Sequence, residues 1–166
     1  SQNSWGYDGA TYLPQSCKDA IDYFIKYAGV DENGNQVGPM KGGIVIFAAG
    51  NDDRNYLSYP ACYDQVLSVS SVAPDYRKAY YSNYAKWVDV AAPGGTYKND
   101  GRYDDECPVY STLPGGQYGY MQGTSMACPH VSGVAALAVS KYGGPGFTPE
   151  KLKLYLTKGV NDIDAY

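Results

Sequence analysis

An apolar run at residues 43–49, Gly-Ile-Val-Ile-Phe-Ala-Ala, constrains the fold of this chain more than any other segment. A strand with one face in water alternates apolar and polar residues, whereas a strand covered on both faces is apolar throughout. No alternation is present here. The run therefore predicts a strand of a parallel sheet that is covered by helices on both faces.

Two further segments are predicted as strands, and they strengthen this interpretation. They are residues 66–72 and residues 88–92, and Pro93-Gly94 ends the second of them. A long loop rich in Tyr, Asp and Gly is expected over residues 95–108. The chain contains no internal repeat, and its 166 residues suit a single domain.

Three helices are predicted from apolar spacing and end signals. Ser16 is a plausible cap for the first, which Gly29 ends. The second begins near Thr124 and ends at Gly143, with apolar residues at three- and four-residue steps. Thr148 caps the third. Strands that alternate with helices in this way indicate an α/β layered fold.

Composition excludes several classes of function. The formal net charge is −4 without any basic cluster, which argues against nucleic acid or anionic membrane as a partner. No run of about 18 apolar residues could span a membrane. Four cysteines, at positions 17, 62, 107 and 128, form no C-x-x-C pair, so a zinc site is not expected. Two disulfides and free buried thiols both remain open.

Residues 31–35, Asp-Glu-Asn-Gly-Asn, have the composition of a calcium-binding loop. However, Gln36 stands where such a loop needs glycine, and Gly42 stands where it needs glutamate. We interpret the segment as a turn. The sequence thus predicts no metal site and no cofactor.

Residues 123–133 read Gly-Thr-Ser-Met-Ala-Cys-Pro-His-Val-Ser-Gly and carry the strongest signal for chemistry. Gly123 allows a close backbone approach, and Ser125 falls at the start of a helix. The unpaired N–H groups and the dipole at that end favour a developing negative charge. A serine or threonine that only caps the helix is the alternative from pattern alone.

The pattern Gly-Thr-Ser-Met-Ala-x-Pro-His-Val-x-Gly resembles the nucleophile motif of the subtilisin family. Three other segments resemble family segments in the same order: residues 3–6, residues 47–51 and residues 88–94. The resemblance implies a subtilisin-like three-layer α/β fold with a mostly parallel sheet. It further implies that residues 1–166 are the C-terminal portion of one peptidase catalytic domain, with N-terminal strands missing.

The resemblance also implies roles for individual residues. Ser125 corresponds to the nucleophile, and Asn51 to the side-chain amide that holds the oxyanion together with the Ser125 backbone N–H. Asp52 would sit at the rim of the specificity pocket, where a carboxylate favours a basic or polar residue before the cleaved bond. The residues expected to contact a peptide or protein substrate are Ser4, Trp5, Gly6, Ala48, Ala49, Gly50, Asp52, Ser58 and Tyr59.

No segment before Ser4 resembles the family's aspartate or histidine segments, which precede the serine along the chain. The single histidine, His130, lies five residues after Ser125, which on a helix means about 140° of rotation and about 7.5 Å of rise. It is therefore expected to face away. We expect the 166 residues alone to be inactive, and to self-associate through sheet edges that would otherwise be covered.

Three alternatives were weighed. An α/β-hydrolase motif fails because Ala127 stands where its second glycine belongs, and because loop residues rather than a strand are expected before Gly123. A cysteine enzyme using Cys128 and His130 fails because residues two apart on a helix do not face each other. A non-catalytic, peptide-binding relative stays open.

The resemblance implies an extracellular, periplasmic or cell-surface location. Whether structural calcium binds after Pro60 stays open.

Overall fold

The computed structural model describes residues 1–7, 9–97 and 107–163. Four parallel strands form one sheet whose spatial order follows the chain: β1 (Gln2–Asn3), β2 (Ile46–Ala48), β3 (Leu67–Val72) and β4 (Val90–Pro93). All three pairings are parallel, so the parallel sheet predicted from the apolar run is confirmed. β2, β3 and β4 are each shorter than the segment that predicted them. The predicted loop over residues 95–108 lies partly outside the described residues.

Helices cover both faces of this sheet: α1 (Gln15–Tyr27), α2 (Thr124–Tyr142) and α3 (Pro149–Lys158). Because successive strand residues point to opposite faces, Ile46 packs in a core with α2 and α3, whereas Phe47 packs against Ile21 of α1. Phe47 is 1% exposed, and burying such a side chain contributes about 1.5–3 kcal/mol. The arrangement is the predicted three-layer α/β fold.

The helix ends test the predicted caps. Ser16 is not a cap: α1 starts one residue earlier, and the Pro14 carbonyl accepts hydrogen bonds from the N–H groups of Cys17 and Lys18. Proline at this flanking position lies outside the helix, so its fixed φ suits the start. Thr148 is confirmed as the cap of α3, and its Oγ1 accepts a hydrogen bond from the third helical residue.

An antiparallel hairpin that lies between β4 and α2 along the chain was not predicted from the sequence. It consists of β5 (Val109–Leu113) and β6 (Gln117–Met121), which pair only with each other among the described strands. The turn residues Pro-Gly-Gly at 114–116 separate two short segments rich in β-branched and aromatic residues. This is a hairpin signal that could have revealed the two strands. The expectation of a loop before Gly123 was therefore wrong, since β6 ends two residues before it. Ala127 alone still excludes the hydrolase motif.

Two smaller expectations are resolved by the structure. The segment at residues 31–35 is a turn, in which the Asp31 carboxylate accepts backbone hydrogen bonds from Asn33 and Asn35 at 2.9 and 2.7 Å. Cys17, Cys62 and Cys128 are free thiols. Among the residues described, no helix is long and apolar enough to cross a membrane.

Candidate active site

Ser125 lies in the first turn of α2, at the carboxyl edge of the parallel sheet. Gly123, immediately before the helix, has φ +148°, a conformation that side chains disfavour. Its N–H donates to the Gly94 carbonyl after β4 at 2.9 Å. This contact ties the start of α2 to the sheet. The Ser125 side chain is half-buried, and its Oγ donates to the Ser4 carbonyl at 3.4 Å.

Asn51 stands three residues after β2, and buried Thr124 orients its side-chain amide. The Asn51 Oδ1 accepts two hydrogen bonds from Thr124, from the backbone N–H at 2.8 Å and from the hydroxyl at 2.9 Å. The same Thr124 hydroxyl accepts from the Gly50 N–H at 3.1 Å. With Oδ1 held in this way, the orientation of the Nδ2 amino group is fixed as well.

The space beside Gly123 brings the two predicted oxyanion donors together. A Cβ placed on Gly123 would lie 3.6 Å from the Asn51 Nδ2 and 3.6 Å from the Ser125 backbone N, with the Asn51 Oδ1, which Thr124 already bonds, at 3.7 Å. Both donors thus border one point, which the absence of a side chain at Gly123 leaves open. Two N–H groups that border a single point suit an oxygen atom that gains negative charge during a reaction.

Asn51 and Ser125 both line a cleft of about 230 Å³. Nine of the eleven predicted site residues line it: Ser4, Trp5, Gly6, Ala48, Gly50, Asn51, Asp52, Ser58 and Ser125.

Ala49 and Tyr59 do not line the cleft. Ala49 is fully buried, and its N–H and carbonyl are bonded to Val69 and Asn83 within the fold. The Tyr59 carbonyl accepts a hydrogen bond from the Tyr7 N–H at 2.9 Å, which ties Tyr59 to the segment after β1. Both residues therefore adjoin the residues that line the cleft without lining it themselves.

Sequence reasoning missed Tyr7, Tyr56 and Thr124 as cleft residues. The Tyr56 hydroxyl donates to the Asp52 carboxylate at 2.8 Å, so the rim carboxylate has a phenol beside it. No local pattern marks a tyrosine four residues from an aspartate in a loop. Thr124 adjoins the nucleophile, but only its bonds to Asn51 show its role.

The opposite wall consists of the segment after β1. Trp5 is 47% exposed, and its ring packs edge-on against Phe47 at 5.1 Å and Tyr7 at 5.5 Å between centroids. The Ser4 hydroxyl donates to the Ser125 carbonyl at 2.8 Å. This wall is thus joined to the nucleophile by hydrogen bonds in both directions.

Neither His130 nor Cys128 lines the cleft. The His130 Nδ1 lies 2.8 Å from the Met126 carbonyl, one turn back on the same helix, and the side chain is exposed. Cys128 is fully buried, and burial raises the pKa of its thiol, which disfavours the nucleophilic thiolate. The structure thus gives no support to a cysteine–histidine pair.

Among the described residues, no group of three or more His, Cys, Asp or Glu side chains could hold a metal ion. The segment after Pro60 ends near Val66, whose carbonyl accepts a hydrogen bond from the Lys153 ammonium at 3.0 Å. The same ammonium lies 3.1 Å from an Asp89 carboxylate oxygen. The Lys153 ammonium therefore joins α3 to these two oxygen atoms.

Comparison with known proteins agrees with this geometry. The sequence model of the subtilase family matches residues 1–162. The chain is 44% identical over 101 residues to the thermophilic serine proteinase of Bacillus sp. (strain AK1), covering 61% of this chain and 22% of that protein. It is 40% identical over 120 residues to halolysin of Haloferax mediterranei, covering 72% of this chain and 20% of halolysin.

Solved structures give the same result. A protease from Pseudoalteromonas arctica superposes with a TM-score of 0.72 at 32% identity, covering 98% of this chain and 45% of that one. A cold-adapted subtilisin-like serine proteinase superposes with a TM-score of 0.65 at 26% identity, covering 94% and 46%. The chain spans about a fifth of those two curated relatives and under half of the solved chains. This chain belongs to the subtilase family.

Proposed function

We propose that the protein is a serine endopeptidase that hydrolyses peptide bonds through an acyl-enzyme on Ser125. The observation that carries this proposal is the open point beside Gly123, bordered by the Asn51 Nδ2 and the Ser125 backbone N. A helix-capping serine would not require an asparagine amide fixed toward the same point. The proposed chemistry needs neither metal nor cofactor.

In the proposed reaction, the Ser125 Oγ attacks the carbonyl carbon of the substrate, and the carbonyl oxygen becomes anionic between the two N–H donors. The C–N bond then breaks, and the amine leaves with a proton that a base has taken from Ser125. Water attacks the resulting ester, which releases the acid and restores the hydroxyl. The two donors bond the anionic oxygen of the transition state more strongly than the neutral carbonyl oxygen of the substrate. They therefore lower the barrier to reaction rather than strengthen substrate binding.

The base and the acid that orients it are proposed to lie outside these 166 residues. The single histidine, His130, does not line the cleft, and no second histidine is present in the sequence. Without a base, the Ser125 hydroxyl keeps its ordinary weak nucleophilicity. The 166-residue chain alone is therefore expected to be inactive.

Labelling with a fluorophosphonate tests both statements. The whole protein should react rapidly at Ser125, its Ser125→Ala variant should not react, and the 166-residue chain should show no labelling at protease rates. Fast labelling of the short chain would contradict the missing base. A whole protein that binds peptides without labelling would be a non-catalytic, peptide-binding relative, and the endopeptidase proposal would fail.

The rim carboxylate is proposed to favour a basic or polar residue before the cleaved bond. Asp52 lines the cleft and is exposed, and an exposed ion pair contributes about 0.2–1 kcal/mol. In the whole protein, Asp52→Asn should lower kcat/KM for substrates with lysine at this position by roughly two- to fivefold, leaving neutral substrates unchanged. Asp53→Asn is the matched control, since Asp53 pairs with Lys78 outside the cleft. Equal loss on both substrates would contradict the proposal.

Export and self-association complete the proposal. Two relatives are named as extracellular proteases, which supports an extracellular, periplasmic or cell-surface location. At the β1 end of the sheet, a groove of about 630 Å³ is lined by apolar residues that include Met40, Ile44 and Val139. Ile44 and Val139 are half-buried there, and an apolar groove that is open to solvent favours association. Sedimentation of the 166-residue chain should show dimers or larger species, and a monomer at high concentration would contradict this.

A further inference from the structure

Asn83, in the connection between β3 and β4, is a fully buried amide that the cleft does not contain. A buried amide is costly unless its hydrogen bonds are made. Asn83 satisfies this requirement in an unusual way, because its side-chain bonds converge on one loop. That loop, residues 49–54, carries Asn51 and Asp52.

The bonds of Asn83 enclose the loop from both ends. Its Oδ1 accepts from the backbone N–H groups of Asp52 at 3.0 Å and Arg54 at 3.3 Å. Its Nδ2 donates to the Ala49 carbonyl at 3.0 Å, and its backbone N–H donates to the Gly50 carbonyl at 3.0 Å. The Nδ2 also donates to the Asp52 carboxylate at 3.5 Å. Five bonds therefore hold the residues on either side of Asn51, and none of them uses Asn51 itself.

The loop backbone is shaped to receive this amide. Gly50 has φ +104°, and a Cβ there would collide with the Asn83 amide nitrogen. The Asn83 side chain thus occupies the space that only glycine leaves open at this position.

Asn83 is in turn anchored to the sheet. The Ser82 hydroxyl accepts from the Ser71 N–H of β3 at 2.8 Å and donates to the Asn83 carbonyl at 3.1 Å. The sheet therefore determines where the amide of Asn83 lies. The amide determines where the backbone around Asn51 lies.

We propose that Asn83 is a positioning residue for the oxyanion hole, which it fixes by clamping the backbone on both sides of Asn51. This inference rests on the proposed function. Thr124 orients the Asn51 side chain, whereas Asn83 places the main chain from which that side chain projects. A displacement of about 1 Å at a reacting group can cost about 100-fold in rate.

A double-mutant cycle in the whole protein tests the proposal. Asn83→Ala should lower kcat by about 10- to 100-fold with little change in KM, since the lost positioning affects the transition state more than substrate binding. In an Asn51→Ala background, where there is no amide left to position, Asn83→Ala should lower kcat less than twofold further. Activities are referred to sites titrated with a fluorophosphonate, so misfolded protein is not counted.

Asn83→Asp provides a second, nearly isosteric variant in case the alanine variant folds poorly. It keeps the acceptor for Asp52 and Arg54 but loses the amino group that donates to the Ala49 carbonyl and to the Asp52 carboxylate. The kcat should therefore fall when Asn51 is present and change little in the Asn51→Ala background. Ser68→Ala is the control, because Ser68 is also fully buried and hydrogen-bonded, to Trp87 and Asp89, away from the loop. Its kcat per titrated site should be unchanged.

The outcomes separate this inference from the proposed function. Equal kcat losses for Asn83→Ala with and without Asn51 would overturn the positioning role, and so would an unchanged kcat in both Asn83 variants. If Ser125→Ala retains full activity, the serine endopeptidase itself is wrong. A Ser125-dependent enzyme that is indifferent to Asn83 leaves the endopeptidase intact and refutes only the inference.

Discussion

The two walls of the cleft are held by different means. The Asn51 loop is fixed by buried polar groups, with Thr124 on one side and Asn83 on the other. The facing wall around Trp5 is largely exposed, and it is held by edge-on ring contacts and by the hydrogen bonds of Ser4 and Tyr7. Buried, fully bonded polar groups define one geometry, whereas exposed rings tolerate several. The comparison predicts that the Asn51 side of the cleft is rigid before substrate arrives, while the Trp5 side adapts.

The largest expected effect is on the rigid wall. Asn51→Ala in the whole protein removes one oxyanion donor, and kcat should fall by about 10²–10³ with KM nearly unchanged. Steady-state kinetics on a chromogenic peptide measures both quantities. Asn55→Ala is the control, since Asn55 directly follows the same loop and does not line the cleft. A fall in kcat of less than about threefold would contradict the contrast between the two walls.

A smaller effect is expected at the residue that orients the amide. Thr124→Val keeps the shape but loses the hydroxyl that bonds Asn51 and Gly50. A net hydrogen bond is worth about 0.5–1.5 kcal/mol, so kcat should fall by roughly tenfold. Thr124→Ser, which keeps the hydroxyl, should lose less. Similar losses in both variants would show that the methyl group, not the hydroxyl, matters.

The smallest effect is expected on the adaptable wall. Trp5→Ala removes an exposed ring that the nucleophile does not contact, so KM should rise by a few-fold while kcat stays within about twofold. Trp5→Phe retains an edge contact with Phe47 and should change KM less. If Trp5→Ala instead lowered kcat as much as Thr124→Val, both walls would be equally rigid and the distinction would fail.

How much of this structure the sequence predicts depends on whether the residues behind each feature are close together or far apart in the chain. The apolar run around Phe47 and the cap at Thr148 are local, so the parallel sheet and α3 were predictable. The Ser16 cap failed because Pro14 also suits that boundary, and local pattern does not choose between them. Asn83 carries no pattern at all: its role depends on contacts with a loop about thirty residues away, which only the folded chain creates.

The hydrogen bonds that orient Asn51 run through Thr124, whereas the Ser125 hydroxyl makes a long 3.4 Å contact with Ser4. Removing that oxygen therefore leaves the architecture of the cleft in place and, under the proposed function, abolishes bond cleavage. A full-length protein changed at this single atom would be an inert capture reagent. Immobilised on a resin, it could retain uncut target polypeptides from culture medium for identification by mass spectrometry.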